Sequence, residues 1–366
     1  MGKAKRTYDG ETIRFNKQIT NQLNKLKVVL PKNYTKQEIL NKYKEFYPSE
    51  WFLLQDRQRY YIEKAKHLKK YKGYSKRYNT QKPELYFLTL QKVKNMVSKN
   101  QQEKHLKYYD TKEYHIELTT FRNKKEKANK KIREKWQNTR INTQTVDPVY
   151  LDSYIKKYHK KGSSNQEKLM IVSELMKYDD ENVIRFFRKL NDAERNDMLR
   201  EKAFFHLQSL GYYVKLRGKF KGKIKSYHTE KSSMSNMKPI DLFNSIKENG
   251  MHRNNSYNAF ISHSSRDKEL VRETIKKLND ERKTCYCDWS MDNHYLKREF
   301  VTEITSEILK IRMRQCDELI YLRTESSVKS EWVKFELDYF EHLNKNIYVI
   351  NKINDNFNKY PPYFES

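Results

Sequence analysis

The sequence predicts a mainly α-helical N-terminal region followed by an α/β domain built on a doubly wound parallel sheet. The spacing of apolar residues is helical through most of the first 250 positions and changes to strand–helix alternation near residue 253. The 366 residues include only 8 Gly and 7 Pro, which argues against an all-β chain. An aromatic content of 13% argues against plain disorder, and the length allows two domains.

The positive charge of the chain is confined to its N-terminal two-thirds. The chain has 76 Lys and Arg against 47 Asp and Glu, a formal net charge of +29. Residues 251–366 hold 19 of each sign, so residues 1–250 hold 57 basic and 28 acidic side chains. This asymmetry indicates a polyanionic partner for the N-terminal part. A Lys-rich, Asn-rich composition imposed by an AT-rich genome explains the same charge, and the sequence alone leaves both explanations open.

Composition also disfavours secreted and membrane proteins. Three Cys, an odd number, argue against a disulfide-stapled secreted scaffold. The sequence has no run of 18 uninterrupted apolar residues, so we expect no transmembrane helix. The residues after Met1 lack the apolar stretch of a secretory signal peptide. We therefore expect a cytoplasmic protein without a membrane partner.

Helix boundaries near the N-terminus follow from capping patterns. Thr35 and Glu38 form a capping-box pattern ahead of a helix that Pro48 ends. Ser49 is expected to cap the next helix, which runs up to Gly73. Both helices carry apolar residues on one face, so we expect them to pack into a core.

The middle of the N-terminal region is expected to be helical but highly polar. A helix is predicted to begin near Pro83, and another after Asp147-Pro148, which supplies an N-cap and a proline at the first helical position. Residues 101–141 between them are almost all polar. A helix of this kind must be solvated, lie on a polyanion or be partly disordered.

The region ends in a predicted hairpin and a linker. A second capping box at Ser164–Glu167 begins a helix, and the helical spacing then continues towards Gly211. Residues 212–225 alternate basic with apolar side chains around two glycines, which predicts a basic hairpin able to lie along phosphates. We therefore divide the chain into a basic, mainly helical sensor or assembly region at 1–225, which could comprise two subdomains, a linker at 226–253 and a domain at 254–366.

Strands and helices alternate in the C-terminal third. Strands are expected at residues 257–261, 284–289, 318–322 and 346–350, with amphipathic helices between them. Short connections between alternating strands and helices predict a parallel, doubly wound sheet. Ligands of such sheets bind outside the carboxyl ends of the strands, where polar residues follow Ile261 and Leu322.

Four segments of this third resemble a bacterial Toll/interleukin-1 receptor (TIR) domain. They are FISHSSRDK from Phe260, CDWSMD from Cys287, RMRQCDELIYLRTESSVKSEW from Arg312 and WVKFEL from Trp332. Their order and spacing carry the resemblance, which covers roughly residues 255–355, about a third of the chain. It implies a flavodoxin-like sheet for the domain. The N-terminal part shows no such resemblance.

The resemblance implies an enzyme that cleaves the bond between nicotinamide and ribose in NAD+, with NAD+ as substrate and with neither cofactor nor metal. It assigns catalysis to Glu336 in a Trp-x-x-x-Glu element. The residues themselves agree, because Trp332 and Glu336 are four apart and share one helix face. An indole suits a cationic nicotinamide ring, and a carboxylate stabilises an oxocarbenium-like ribose. The alternative for Glu336 is a solvated carboxylate paired with Lys334 or Lys329.

The resemblance also implies substrate-binding residues at the strand ends. They are Phe260, Ser262, His263, Ser264, Asp288, Asp292 and Trp332. Ordinary loop polarity, helix capping and an Asx turn are the alternatives for the polar ones. Many TIR domains have a Leu-x-x-Gly-Asp loop where this chain reads Tyr295–Glu299, so the pocket details and the assembly geometry are not carried over. The three cysteines are expected to be small packing residues.

The leading hypothesis is an NAD+ glycohydrolase effector of bacterial antiphage defence, activated by a trigger or by assembly through the basic N-terminal region. An ADP-ribosyl cyclase would use the same residues. The expected partners are NAD+, further copies of the TIR domain, and a nucleic acid or protein for residues 1–225. The alternative is a non-catalytic TIR interaction module fused to a nucleic-acid-binding helical domain. The trigger, the oligomeric state and the product are left open.

Overall fold

A computed structural model gives the fold as two compact units, Met1–Gln137 with Gly211–Val214, and Asn138–Leu210 with Lys215–Ser366. The structure describes residues 3–73, 77–140, 143–146, 148, 150–215, 239–248, 252–292, 296, 303–351 and 356–360. The first unit is helical, and the second combines helices with a five-stranded sheet. The predicted fold class is therefore confirmed. Among the described residues, no helix has the length and apolar character needed to cross a membrane.

The first unit packs its core between the apolar faces of its helices. Its helices are α1 (Lys3–Leu26), α2 (Lys36–Phe46), α3 (Pro48–Lys72), α4 (Pro83–Thr89), α5 (Gln91–Met96), α6 (Lys99–Lys107) and α7 (Thr111–Arg140). Leu23, Ile39, Leu54 and Phe87 come from four of these helices and are completely buried in one cluster. The core thus forms where the apolar faces of the helices meet, because each helix can bury its apolar face only by packing it against the other helices.

The capping patterns account for most helix ends in the first unit. Thr35 accepts from the Glu38 amide at 3.2 Å, and the Glu38 carboxylate accepts in return from the Thr35 amide, which confirms the capping box. Gly73 ends α3 in the left-handed region with φ of 68°, as expected. The prediction that Ser49 caps α3 is wrong. Pro48 occupies the first helical position, so the N-cap is Tyr47 and Ser49 is buried.

The polar helix α7 is solvated along most of its surface. Leu118 and Phe121 pack against the core of the first unit, and the Asn129 amide donates to the Phe46 carbonyl at 3.2 Å. Of the residues of α7, only Asn129 is buried. The described part of 101–141 therefore forms the end of α6, which has no buried residue, and α7, a solvated helix with one narrow packed face.

The first unit also buries a complete arginine side chain among aromatic rings. The Arg57 guanidinium lies 4.9 Å from the Tyr61 ring centroid and 5.1 Å from that of Phe15, and two further rings surround it. Its Nη2 donates to the Thr12 hydroxyl at 2.7 Å. One of the surrounding rings belongs to Tyr213, whose amide donates to the Asp56 carboxylate at 2.8 Å.

The second unit begins with helices and ends with the sheet. Its first helices are α8 (Leu151–Tyr158), α9 (Asn165–Leu175), α10 (Glu181–Ala193), α11 (Asp197–Ser209) and α12 (Pro239–Glu248). The capping box at Ser164 and Glu167 is confirmed. Part of the predicted 226–253 linker is helical, because Leu242 and Ile246 of α12 share one face and pack against Ile308.

Some predicted features fall wholly or partly outside the described residues. The predicted strand at the start of the 212–225 hairpin is not present, since residues 212–215 are irregular, and the rest of the hairpin lies outside the described residues. Asp147 and the first part of the predicted linker, residues 226–238, also lie outside them. The proposed domain boundaries stay a prediction, and residues 138–210 belong to the same compact unit as the sheet.

The sheet of the second unit has the strand order β2-β1-β3-β4-β5. Its strands are β1 (Tyr257–Ser262), β2 (Cys285–Tyr286), β3 (Cys316–Leu322), β4 (Asn346–Ile350) and β5 (Asn358–Lys359). The first four pair in parallel, and the short β5, which the sequence did not indicate, pairs antiparallel with β4. The order reverses at β1, so the ligand-binding edge of a doubly wound sheet lies at the carboxyl ends of β1 and β3.

The helices of the α/β part alternate with the strands as the sequence indicated. They are α13 (Lys268–Asp280), α14 (Asp288–Met291), α15 (Glu303–Arg314), α16 (Glu325–Val328) and α17 (Glu331–His342). Ala259 and Ile261 of β1 pack against Val271 and Ile275 of α13, and all four are buried. These contacts fix the height of α13 beside β1 and thereby the position of the loop between them.

Candidate active site

A cavity of about 920 Å³ opens at the carboxyl ends of β1 and β3. Five of the predicted site residues line it, and they are His263, Ser264, Asp288, Trp332 and Glu336. They come from the loop after β1, from α14 and from α17. The volume lies in the range of about 300–1,000 Å³ that is typical of small-molecule and cofactor sites.

Glu336 is a buried carboxyl group that faces the end of β1. Ser330 caps α17 by accepting from the Val333 amide at 3.4 Å, so the helix begins beside the cavity. One turn further along, the Glu336 side chain retains only 6% of its exposure, and its Oε2 accepts from the Ser262 hydroxyl at 2.6 Å. Ser262 itself is fully buried at the last position of β1. The two residues therefore join β1 to α17 at the base of the cavity.

The alternative in which Glu336 is a solvated helix carboxylate is wrong. Lys334 pairs with Glu331 at 3.1 Å, and Lys329 pairs with Glu325 at 3.3 Å. Both lysines are largely exposed and pair with exposed carboxylates rather than with Glu336. Glu336 is left with Ser262 as its hydrogen-bond donor.

The surroundings of Glu336 favour its neutral form in the ligand-free cavity. Burial raises the pKa of Glu336 well above its usual range, and the nearby negative charge of Asp288 raises it further. The hydrogen bond from Ser262 acts in the opposite direction, because it favours the carboxylate. A cation entering the cavity would lower this pKa, so the site is arranged to take up positive charge.

Asp288 and Trp289 form the wall of the cavity that follows β2. The Asp288 carboxylate accepts from the Trp289 amide at 2.6 Å and lies 3.7 Å from His263 Nε2. The Arg272 guanidinium lies over the Trp289 ring, 5.4 Å from its centroid. On the far side, His263 Nδ1 is 3.2 Å from the Ile261 carbonyl. The His263 ring therefore has an oxygen acceptor near each nitrogen, which suits a packing and orienting role.

Three potential metal ligands meet beside this wall, but their chemistry does not favour a metal. His263, Cys287 and Asp288 have ligand atoms within 4.8 Å of one another. Burial, with a further contribution from Asp288, raises the pKa of the Cys287 thiol well above its usual value. Metal binding requires the thiolate, which this environment disfavours. Cys285 and Cys316 are completely buried and free as well, in agreement with packing roles.

Three predicted site residues lie outside the cavity lining, and besides Ser262, which bonds to Glu336, they are Phe260 and Asp292. Phe260 is 1% exposed and stacks on Tyr286 with ring centroids 5.4 Å apart. Asp292 is 1% exposed, accepts from the Tyr286 hydroxyl at 3.0 Å and pairs with Arg312 Nε at 2.9 Å. Burial alone would raise its pKa, but Arg312 and Lys177 hold the pKa of Asp292 well below its usual range. The structure thus places these two residues behind the wall of the cavity.

Sequence reasoning missed the residue that joins the loops after β1 and β3. Asp267 accepts from the Ser264 amide at 3.2 Å and from the Thr324 hydroxyl at 2.8 Å. Its second oxygen accepts from the Ser326 hydroxyl at 3.1 Å. Two signals in the sequence could have indicated this contact. They are an acidic residue directly before α13 and a Thr-x-Ser pattern shortly after β3.

Sequence reasoning also passed over the basic residues of the cavity. Arg266, Lys268 and Lys329 lie in its lining, the first two beside the end of β1 and the third just before α17. All three occur in segments that were quoted for the resemblance, so their charge was the available signal. The Tyr295–Glu299 loop, where this chain differs from many TIR domains, lies outside the described residues except for Leu296, which lines the cavity.

The chain is similar to two curated bacterial proteins. It is 41% identical over 350 residues, 96% of this chain and 92% of the relative, to "Putative cyclic ADP-D-ribose synthase TIR2" of Cytobacillus dafuensis. It is 29% identical over 136 residues, 37% of this chain and 67% of the relative, to "Probable 3' cyclic ADP-D-ribose synthase ThsB'" of Bacillus cereus (strain MSX-D12). No family model matches the chain. No solved structure matches it significantly.

Proposed function

This chain belongs to the family of TIR-type cyclic ADP-D-ribose synthases, and on that premise we propose that it cleaves NAD+ at the cavity beside β1 and β3, with Glu336 as the catalytic carboxylate, in antiphage defence. The observation that carries the assignment is the burial of Glu336 at the base of a cavity large enough for a ligand. The cavity wall combines two tryptophans, Trp289 and Trp332, with polar and charged side chains, a combination that suits the rings and phosphates of a nucleotide.

The reaction breaks the bond between the ribose C1′ and the nicotinamide nitrogen. The bonding electron pair leaves with the nicotinamide, which becomes neutral, and the positive charge moves to the ribose as an oxocarbenium-like ion. The Glu336 carboxylate stabilises that charge, and the Ser262 hydroxyl orients it by donating to Oε2. Water then adds to C1′ to give ADP-ribose and a proton, or a nucleophile of the same molecule adds and gives a cyclic product.

Because Glu336 is buried, its carboxylate interacts more strongly with the ribose cation formed on cleavage than with the bound substrate. In the ligand-free cavity its ionisation is disfavoured by burial and by Asp288, as its raised pKa indicates. The fixed positive charge of the nicotinamide ring favours ionisation on binding, and bond cleavage moves this charge closer to the carboxylate. Because the cavity has a lower effective dielectric than water, the interaction is stronger there than it would be in solvent.

The remaining cavity residues support binding of the rest of the substrate. Trp332 lies four residues before Glu336 on α17 and provides a flat wall for the nicotinamide ring. Arg266, Lys268 and Lys329 supply positive charge for the pyrophosphate. His263 and Ser264 line the same cavity from the loop after β1, where Ser264 suits a contact to a ribose hydroxyl.

The assignment is tested by measuring NAD+ consumption with Glu336→Ala in the full chain. We expect turnover to fall by about 100-fold or more, the magnitude that removal of one key electrostatic group produces. Glu331→Ala removes an exposed carboxylate of the same helix and should keep the native rate. Chromatography of the products separates hydrolysis from cyclisation. Equal consumption by both variants would contradict the role of Glu336.

We also propose that the first unit contacts a polyanion through α7, and one observation favours this. Lys124, Lys127 and Lys131 are exposed and lie at i, i+3 and i+7, so they share a face of the helix. A neighbouring face of α7 carries Leu118 and Phe121, which are packed on the core of the unit and hold the helix in place. A row of lysine ammonium groups on a helix can neutralise several phosphates, because these contacts are electrostatic and do not depend on the sequence of the polyanion. Residues 1–225 would then sense the trigger or assemble the protein.

A further inference from the structure

The segment from Cys285 to Asp292 carries the Asp288–Trp289 wall of the cavity between its two ends. Its first end is β2, which is the outermost strand on its side of the sheet. There, the Gln144 side chain takes the place of a neighbouring strand. Gln144 Nε2 donates to the Cys285 carbonyl at 2.6 Å, and the Cys285 amide donates to Gln144 Oε1 at 3.0 Å. One side chain thus satisfies both backbone groups of this edge residue.

The second end of the segment is held by the same part of the chain. Gln144 Nε2 also lies 3.4 Å from the sulfur of Met291, the last residue of α14. Lys177 Nζ lies 3.6 Å from Oδ1 of Asp292, which follows Met291. The Asp292 amide donates to the Asp288 carbonyl at 3.1 Å, so a displacement of Asp292 is transmitted to the wall of the cavity.

Gln144 and Lys177 are joined to each other by backbone hydrogen bonds. The Gln144 amide donates to the Lys177 carbonyl at 2.9 Å, and the Asp179 amide donates to the Gln144 carbonyl at 2.8 Å. The Gln144 side chain is 3% exposed, and the Lys177 ammonium is further held by the buried Glu174 carboxylate. The pair therefore acts as one rigid bridge, which we call the Gln144–Lys177 bridge, and it contacts both ends of the Cys285–Asp292 segment.

We infer that Gln144 and Lys177 are positioning residues for NAD+ cleavage, which hold the Asp288–Trp289 wall at its distance from Glu336. The inference rests on the proposed function. Neither residue belongs to the cavity lining, so both act through the segment that they contact. The helical residues 138–210 are accordingly part of the catalytic apparatus, and the functional boundary lies before them rather than at the start of β1.

Glu336 provides a readout of the wall's position. The Asp288 carboxylate raises the pKa of Glu336, and the size of this effect depends on the distance between the two groups. Ser262 and His263 at the end of β1, and Lys329 before α17, also face this part of the cavity. These three lie on elements that the Gln144–Lys177 bridge does not contact, so moving the wall changes the Asp288 contribution selectively.

The test measures kcat, KM and the pH profile of kcat/KM for Gln144→Ala and Lys177→Met in the full chain. We expect kcat to fall by about 10- to 100-fold, the loss typical when a remote change displaces a reacting geometry by about 1 Å. The acid limb of the profile should move to lower pH as Asp288 moves away from Glu336. Lys177→Arg, which keeps the positive charge that Lys177→Met removes, should keep most of the native activity. Gln166→Ala and Lys161→Met change exposed residues of the same helical part and serve as matched controls.

The outcomes separate a positioning role from a merely structural one. A structural role would lower the midpoint of thermal unfolding while leaving kcat and the acid limb unchanged in the folded protein, and this result would overturn the inference. If Gln144→Ala or Lys177→Met is unfolded at the assay temperature, two milder variants decide the matter by the same criteria. They are Gln144→Glu, which keeps the side-chain size, and Lys177→Gln, which keeps a hydrogen-bond donor.

Glu336→Ala belongs in the same assay, because it separates failure of this inference from failure of the proposed function. If Glu336→Ala cleaves NAD+ at the native rate, the catalytic assignment fails. If Glu336→Ala is inactive while the Gln144 and Lys177 variants keep the native kcat and profile, only the positioning inference fails.

Discussion

The two units each bury one complete arginine side chain, and they stabilise it in different ways. Arg57 in the first unit is enclosed by the rings of Tyr8, Phe15, Tyr61 and Tyr213, and the Glu11 carboxylate lies 4.0 Å from its Nε. Arg312 in the second unit makes two contacts to the Asp292 carboxylate, at 2.9 and 3.4 Å. The surroundings of Arg57 are mainly aromatic and stabilise the fold. Arg312 instead belongs to a charged network that reaches the wall of the cavity.

The comparison shows that the buried charges of the second unit, unlike those of the first, lie beside the cavity. In the second unit, Glu174, Lys177, Asp292 and Arg312 are connected and lie next to the segment that carries Asp288. Burial and the neighbouring Arg312 lower the pKa of His252 in the same cluster to about 4, so this histidine is neutral at physiological pH. The first unit instead presents most of its charge to solvent, as on α7.

The largest effect is expected from breaking the Asp292–Arg312 pair. Arg312→Met should destabilise the second unit by about 3–5 kcal/mol, because it leaves a buried carboxylate without its main partner. Arg57→Met should cost less, about 1–3 kcal/mol, since a thioether packs well against the rings. The Glu11 carboxylate, 4.0 Å from Arg57, keeps its hydrogen bond from the Tyr61 hydroxyl at 2.8 Å. Urea unfolding of both variants measures the difference.

The double variant Arg312→Met with Asp292→Asn is the control for this comparison. Removing both charges should recover part of the loss, because the unpaired carboxylate is gone. Equal losses for Arg57→Met and Arg312→Met would show that the two arginines are stabilised alike, and the contrast between the units would be withdrawn.

A smaller effect is expected from Asp288→Asn on the pH dependence of cleavage. Glu336 must be ionised to stabilise the ribose cation, so kcat/KM falls as the pH drops through its raised pKa. Removing the negative charge of Asp288 lowers that pKa, and the acid limb should move to lower pH. An acid limb at the same pH in both proteins would mean that Asp288 does not act on Glu336.

The same raised pKa predicts a pH-dependent stability. The folded state holds the Glu336 proton more tightly than the unfolded state, so ionisation destabilises the fold as the pH rises from the ordinary Glu value towards the raised one. Glu336→Gln removes this penalty. The midpoint of thermal unfolding should therefore increase more at pH 8 than at pH 5, and an equal change at both would contradict the shift.

The smallest effect is expected from the first unit. Replacing Lys124, Lys127 and Lys131 with Gln should weaken binding of a double-stranded DNA oligonucleotide and reduce the slope of log K against log salt by up to about 0.9 per lysine that contacts a phosphate. Fluorescence anisotropy between about 50 and 200 mM salt measures both quantities. Gln at the exposed Lys32, Lys36 and Lys66 is the matched control. An unchanged slope in the α7 variant would remove α7 as the contact surface.

Local sequence signals predicted the elements of the sheet and several helix ends. The strand-and-turn pattern that ends in Ser262 and the helix that carries Glu336 were both visible, because hydrophobic period and capping are encoded within a few residues. The Ser49 cap was wrong because Pro48 is pre-organised for the first helical position, which moved the cap to Tyr47.

Contacts between distant parts of the chain could not be predicted in this way. Gln144 bonds to Cys285 across 141 residues, and neither residue has a distinctive local pattern. Asp292 was expected to touch substrate because of its place after β2, but its partners Lys177 and Arg312 come from the turn after α9 and from α15. Helix α12 was predicted as part of a linker, because its apolar face packs against Ile308 of α15, a contact that the local sequence does not reveal.

The central claim, that Glu336 does the chemistry of a cavity that binds NAD+, is tested most directly with Glu336→Gln, which keeps the shape of the side chain and removes its charge. The measurement is single-turnover release of nicotinamide, together with the Kd for NAD+, in the full chain. We predict a rate at least about 100-fold below that of the native protein with a Kd changed by less than about tenfold. A native rate of nicotinamide release from Glu336→Gln would contradict the claim.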